Sequence, residues 1–350
     1  MEVICSIGPN IKRKEDLAVL AQGGMTSARF NFAHIKEENY PYAREQMEFL
    51  KKNYPKVNII QDLQGSKLRI SNRFSKEFLA SKGQEVYFST EGYYISNRAI
   101  AEEFNIIPIC SPHSKFTFND VKAILIKDRT MEFSVLSCSE EGQVIKTQVK
   151  RGGIIRAEKG VNALGFKREQ FNLSLKDKKD ILFGLQNNVD VICMSYTNDP
   201  AIILELKGFI KQAKVYLKEA KQPKLWAKIE CPEGVEKIKE IAKHCQGIML
   251  GRGDLFAELP LLEIARCDNN VVEYMKKTQK PLIIATYVLD SMKNSPLPSL
   301  PEINEIYRYI EAKVGGFMLA GEVSTGKYPR EALEFLVSMI NRYNYNRNMP

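Results

Sequence analysis

The feature that most constrains the fold is a repeated alternation of short apolar runs and longer amphipathic stretches. Val3 to Gly8 reads as a strand closed by Gly8-Pro9, and Glu15 to Ala21 has helical spacing and ends at Gly23-Gly24. Thr26–Phe32 reads as strand, Glu37–Asn53 as helix and Val57–Leu63 as strand. After an interruption the pattern resumes with helix 175–187, strand 189–195 and helix 199–213. Leu225-Trp226-Ala227 and Gly247-Ile248-Met249-Leu250 then flank a stretch whose Val235, Ile238, Ile241 and Ala242 recur at helical spacing. Helix 266–277, strand 281–288, helix 302–312, strand 317–321 and helix 330–342 complete the series. Eight such units predict an α/β fold, a (β/α)8 TIM barrel, in preference to a six-stranded doubly wound sheet.

The interruption has a different texture. Between about residues 70 and 157, short β-rich pieces such as Glu85–Ser89, Ala123–Ile126, Glu132–Leu136 and Val144–Val149 alternate with glycine-marked turns. This predicts a small all-β lid inserted after strand three, with residues 92–114 left unassigned. The expected domains are therefore a barrel over 1–69 and 158–350 and a lid over 70–157.

At 350 residues the chain is long enough for roughly two domains and a full core. A hydrophobic content of 44% and a charged content of 27% are those of a globular protein. No apolar run approaches the roughly 18 residues of a membrane span, and the N-terminus lacks the basic region and cleavage motif of a signal peptide. The seven cysteines are scattered without a CxxC pair, which predicts a reducing, cytoplasmic setting and no structural zinc. The net charge of +9 is spread along the chain without a dense basic run or an aromatic RNA motif, which argues against nucleic acid. A solvated surface accounts for it; steering of phosphorylated substrates is the functional alternative.

In a barrel the strand C-termini form the active face. The polar residues there are Arg29, Asn31 and His34 from strand two and Asp62, Lys67 and Arg69 from strand three. Strands five and six give Lys228, Glu230, Arg252 and Asp254; strands seven and eight give Thr286 and Glu322. Paired carboxylates beside cations suit a divalent ion that holds a phosphorylated anion. Polar strand ends joined by a salt bridge are the competing reading.

These residues lie in segments that together resemble the pyruvate kinase family over Val3 to Phe335. They include Cys5-Ser6-Ile7-Gly8-Pro9, Ala28-Arg29-Phe30-Asn31-Phe32-Ala33-His34 and Asp62-Leu63-Gln64-Gly65-Ser66-Lys67-Leu68-Arg69. Lys159-Gly160-Val161-Asn162, Ala227-Lys228-Ile229-Glu230, Gly251-Arg252-Gly253-Asp254-Leu255, Ala285-Thr286 and Gly321-Glu322 follow in order. The resemblance implies phosphoryl transfer from phosphoenolpyruvate to ADP, giving pyruvate and ATP, with Mg2+ or Mn2+ on Glu230 and Asp254. It implies that Lys228 faces the transferred phosphoryl group, that Arg29 holds it, and that Arg69 and His34 contact nucleotide phosphates. Gly253 would cradle the substrate carboxylate, Thr286 would serve proton delivery, Asp128 would lie on the lid's active-site loop, and Asn31 and Lys159 would join the binding residues. Small-molecule substrates and a homodimer are the implied partners.

The departures from the family pattern carry expectations of their own. Ala33 and Leu63 stand where hydroxyl ligands of K+ occur, and Leu63, Gln64 and Lys67 match a branch that works without K+. A tethered Lys67 ammonium would replace the monovalent ion beside Asp62 and the substrate. Ala320 replaces a serine of the proton relay, Tyr287 a glutamine, Cys231 an asparagine and Phe256 a glycine; Lys127-Asp128-Arg129 replaces Asp-Asp-Gly. Leu297–Glu302 lacks two arginines that reach across a subunit interface, and a C-terminal effector domain is expected to be absent. These changes leave two alternatives beside the pyruvate kinase reading. One is a metal-dependent enzyme of the superfamily acting on a pyruvate- or phosphoenolpyruvate-like acid in a specialised biosynthetic pathway, with another acceptor or acid; the other is a non-catalytic ligand-binding relative.

Overall fold

A computed structural model describes residues 1–112, 116–166, 168 and 172–345. Two compact units emerge from it. The first comprises Met1–Gly65, Leu175–Gly253 and Leu262–Pro350; the second comprises Ser66–Ser174 and Asp254–Leu261.

The first unit is a closed barrel of eight parallel strands. They are β1 (Glu2–Ile7), β2 (Ser27–Asn31), β3 (Asn58–Asp62), β4 (Val191–Met194), β5 (Lys224–Ile229), β6 (Gly247–Gly251), β7 (Leu282–Ala285) and β8 (Gly316–Leu319). Closure comes from β1, which pairs in parallel with both β8 and β2. The strands are apolar on both faces because one face fills the interior and the other lies under helices. Ile4, Ile60, Cys193, Trp226, Met249, Ile283 and Met318 meet inside. The helices start where polar residues stop the strand pattern. Asp199 accepts from the Ala201 amide at 2.9 Å and Pro200 opens the helix Pro200–Tyr216. Ser299 donates its backbone N–H to Glu302 at 2.8 Å at the start of Leu300–Glu311. Among the described residues no helix is long and apolar enough to cross a membrane. All seven cysteines are free thiols.

The second unit has a core of its own. Its seven-stranded closed sheet runs, neighbour to neighbour, through Val144–Arg151, Glu85–Thr90, Ile107–Cys110, Leu68–Ile70, Gly160–Leu164, Ala123–Ile126 and Met131–Cys138. Most pairs are antiparallel; Glu85–Thr90 and Ile107–Cys110 run parallel. Phe88, Phe118, Phe133, Ile124 and Ile145 are among its fully buried residues.

Two features differ from the sequence expectation. The unit extends beyond 70–157, because Leu68–Ile70 and Gly160–Leu164 are paired strands of its sheet. It also carries two helices, Glu91–Ser96 and Arg98–Glu103, in the stretch left unassigned. At six residues each they are too short for a helical period to show in the sequence. Thr90 caps the first, accepting from the Tyr93 amide at 3.3 Å.

Candidate active site

The barrel gathers a charge-balanced cluster at the C-terminal ends of its strands. Asp62 ends β3 and is fully buried. Its Oδ2 accepts from Arg29 Nε at 2.8 Å and Nη2 at 2.5 Å, a forked donation that only a guanidinium provides. The remaining Arg29 nitrogen, Nη1, donates to Ser6 Oγ on β1 at 3.0 Å. Ser195, just past β4, donates to Asp62 Oδ1 at 2.9 Å. Lys228 on β5 places its Nζ 3.3 Å from Asp62 Oδ2 and 2.9 Å from Glu230 Oε1. The Tyr196 amide donates to Glu230 Oε2 at 3.1 Å.

Two cations thus face two carboxylates in a buried space, where an unpaired charge would cost several kcal/mol. Burial by itself would push the Asp62 carboxyl up. The Lys228 and Arg29 cations outweigh it and hold the group below the usual carboxylate range. Burial would likewise discharge Lys228, but Asp62 and Glu230 raise its pKa and keep it an ammonium.

A second constellation forms after β6 and β7. A Cβ on Gly251 would sit 2.6 Å from Glu230 Cγ, so glycine is what allows β6 to approach that carboxylate. Thr286 and Tyr287 are both left-handed, with φ of 66° and 52°. Arg252 holds this strained pair by donating to the carbonyl of Thr286 at 2.8 Å and to that of Tyr287 at 2.5 Å. The Arg252 guanidinium is itself anchored by Glu305 at 2.8 Å. The Gly253 amide donates to Thr286 Oγ1 at 2.8 Å, and that hydroxyl donates to the Ala285 carbonyl at 2.5 Å. The backbone around Gly253 is the stretch expected to cradle a carboxylate, and within it the Gly253 N–H is engaged by Thr286. Glu322, a candidate at the end of the eighth strand, accepts from the Leu289 and Ala320 amides at 3.1 and 2.8 Å, which makes it a clamp on two turns.

Of the binding residues at the end of β2 and in the turn after it, Asn31 accepts from the Ala33 amide at 3.2 Å, and His34 is exposed.

Within the second unit, Lys67 Nζ donates to both oxygens of Asp254, at 2.6 and 2.7 Å. The expectation set Lys67 beside Asp62; its direct partner here is the carboxylate assigned to the divalent ion. Arg69 donates to the Glu158 carbonyl at 2.8 Å. Asp128 stands in a run of three left-handed residues, Lys127, Asp128 and Arg129, with φ of 54°, 48° and 66°. Lys159 is exposed, and its carbonyl accepts from the Ile70 amide. Glu258 pairs with a buried Arg168 and accepts from Asn162 at 3.0 Å, an arrangement that sequence reading missed.

Ser6, Ser195 and Tyr196 were missed as well. Both serines sit at or just past a strand's C-terminal end, so extending the strand-end rule to β1 and β4 would have found them. The Tyr196 amide carries no side-chain signal. Among the described residues no group of three or more His, Cys, Asp or Glu side chains forms a metal cage.

An eight-stranded parallel barrel with a closed β-rich insert after its third strand, and an Arg–Asp–Lys–Glu cluster at the strand ends, defines a class of (β/α)8 proteins built to manage charge at that face. The family can be given more closely. The family model for the pyruvate kinase barrel domain matches residues 1–333, and the chain belongs to the pyruvate kinase family. It is 30% identical over 346 residues to pyruvate kinase 2 of Synechocystis sp., covering 97% of this chain and 56% of that protein. Against pyruvate kinase of Staphylococcus epidermidis it is 28% identical over 337 residues, covering 95% of this chain and 55% of the relative. The chain therefore spans about half the length of the curated relatives it matches.

Proposed function

We propose that this protein transfers a phosphoryl group from phosphoenolpyruvate to ADP, with a divalent ion and without a requirement for K+. The observation that carries the reading is the Lys228 ammonium, fixed between Asp62 and Glu230 at the barrel's strand ends. A buried, permanently charged ammonium is suited to stabilising the charge that develops on a transferring phosphoryl group and on the enolate it leaves. Arg29 is oriented by Asp62 and Ser6, and supplies a second cation for the same phosphoryl oxygens.

Glu230 and Asp254 are the proposed ligands of Mg2+ or Mn2+. Both offer hard oxygen donors, and the Lys67 ammonium on both Asp254 oxygens supports a cation-holding role for this carboxylate. When bound, the ion would neutralise and orient the substrate's carboxylate and phosphate. Thr286 is the proposed end of the proton path to C3 of the enolate, and Arg69, His34, Asn31, Asp128 and Lys159 are the proposed nucleotide-side contacts. Lys67 is the proposed surrogate for K+, acting through its bond to Asp254. A cytoplasmic location and a homodimer belong to the same reading.

A coupled assay with phosphoenolpyruvate, ADP and Mg2+, run with and without K+, tests it. Pyruvate should form at equal rates in both; no pyruvate in either would sink the proposal. Lys67→Glu places a carboxylate beside Asp254, so activity should fall at least about tenfold and return in part with K+. Activity of that variant that is indifferent to K+ would defeat the surrogate role.

A second reading rests on Thr286. Its hydroxyl is committed to the Ala285 carbonyl, and Ala320 provides no hydroxyl to relay a proton. On that reading the enzyme keeps the enolpyruvate chemistry but uses another acceptor, or another acid in place of Thr286. Exchange of pyruvate C3 protons in D2O without pyruvate formation from phosphoenolpyruvate and ADP would favour it.

A further inference from the structure

At the opposite end of the barrel from the proposed active site lies a cavity of about 530 Å3. Four lysines line it: Lys207, Lys211 and Lys214 from the helix Pro200–Tyr216, and Lys224 from the first position of β5. The helical three are spaced i, i+4 and i+7, which sets them on one face. Gln222 and Gln246 complete the polar lining, and no Asp or Glu is part of it.

Among the described residues no carboxylate pairs with any of the four ammonium groups; Lys214 donates to Gln222 Oε1 at 3.3 Å. Neighbouring lysines behave differently. Lys221 pairs with Asp190 and Lys237 with Asp199, both within 2.7 Å. Asp190, a carboxylate lining the adjoining cavity with Lys224, is thus already held by Lys221 and also accepts from the Ile59 amide at 2.7 Å. Like charges three and four residues apart on a helix repel. Gathering them around a concavity concentrates positive potential there, and an anion of matching size relieves the repulsion.

The geometry points to a binding site for a small polyanion carrying two or more neighbouring phosphate groups. One phosphate would lie along the helical Lys207–Lys211–Lys214 face and another toward Lys224. The Gln246 Oε1 already accepts from the Leu225 amide at 2.7 Å, which leaves its NH2 as a donor for a phosphate oxygen. A cavity of this size lies in the range of small-molecule sites, roughly 300–1,000 Å3.

Inorganic tripolyphosphate is the probe, titrated calorimetrically into the full chain with ionic strength held constant by chloride. The wild type should show saturable binding. The triple variant Lys207→Gln, Lys211→Gln, Lys214→Gln should bind roughly tenfold or more weakly, while Lys243→Gln, on another helix, should not change it. Circular dichroism checks the fold of the triple variant, and the exposed single variant Lys211→Gln should lose affinity in part if the triple one does not fold. Absence of saturable binding in the wild type would overturn the proposal. So would equal affinity in the lysine variants, or capture of RNA at this face without affinity for tripolyphosphate.

Discussion

Lys228→Met removes a cation that touches both Asp62 and Glu230. Arg29 still holds Asp62, so the loss in stability should be about 2–3 kcal/mol, below the roughly 3–5 kcal/mol for a buried pair stripped of a partner. Turnover should fall much further, about 1,000-fold or more, because the ammonium is proposed to act on charge that exists only in the transition state. Urea unfolding and the coupled assay separate the two effects. A variant that loses stability but keeps turnover would reduce Lys228 to a structural ion pair. Legibility at this scale followed side-chain chemistry. Arg29, Asp62, Lys228 and Glu230 were readable because charged residues at strand ends are few. The Asp254 partner of Lys67 was not readable, since 187 positions separate the two and nothing local encodes the pairing. The commitment of the Gly253 amide to Thr286 was equally hidden, because a backbone donor has no letter in the sequence.

Among the elements, the helix Leu175–Gln186 is docked by a buried carboxylate. Asp180 accepts from the Tyr40 hydroxyl at 2.5 Å and from Lys176 at 2.6 Å, while Lys176 also donates to the carbonyls of Phe32 and Ile35. Burial pushes the Asp180 carboxyl up to about 6, with Lys176 and the Tyr40 hydroxyl pulling it the other way. An unfolded aspartate titrates near 3.9. The folded state therefore binds more protons between about pH 4 and 6. This group's contribution to stability is full below about pH 4 and is lost as pH rises through 6. Asp180→Asn keeps the acceptor for Tyr40 and abolishes the titration. Its stability relative to wild type should therefore rise by about 1–3 kcal/mol between pH 4 and 7, allowing for water around the partly exposed Lys176. Urea midpoints of both proteins across that range check it; a pH-independent difference would refute the elevated pKa. Barrel strands and long helices were legible because their periods repeat. The left-handed pair Thr286-Tyr287 was not, since Thr and Tyr give no local warning of positive φ, and it takes the Arg252 donations to hold them there.

Taken as a whole, the chain carries two cores, and the sequence signalled the second: the helix–strand alternation breaks after the third barrel strand and resumes with the helix Leu175–Gln186. The exact seams were not visible, because the strands Leu68–Ile70 and Gly160–Leu164 are as apolar as barrel strands and only their pairing assigns them. Separate cores predict separable unfolding. Phe88 is fully buried in the second unit and meets Phe133 edge-on at 5.2 Å. Phe88→Ala should weaken that unit by about 3–5 kcal/mol through lost burial and the cavity left behind. The chain has a single tryptophan, Trp226 on β5, so its fluorescence reports the barrel, whereas far-ultraviolet circular dichroism reports both units. In Phe88→Ala the dichroism should acquire an earlier transition in urea while the Trp226 midpoint stays within error of wild type. Two units that unfold independently require this divergence, because each is held by a hydrophobic core of its own. If the two probes shift together and by the same amount, the chain is one cooperative unit and the second core has no stability of its own.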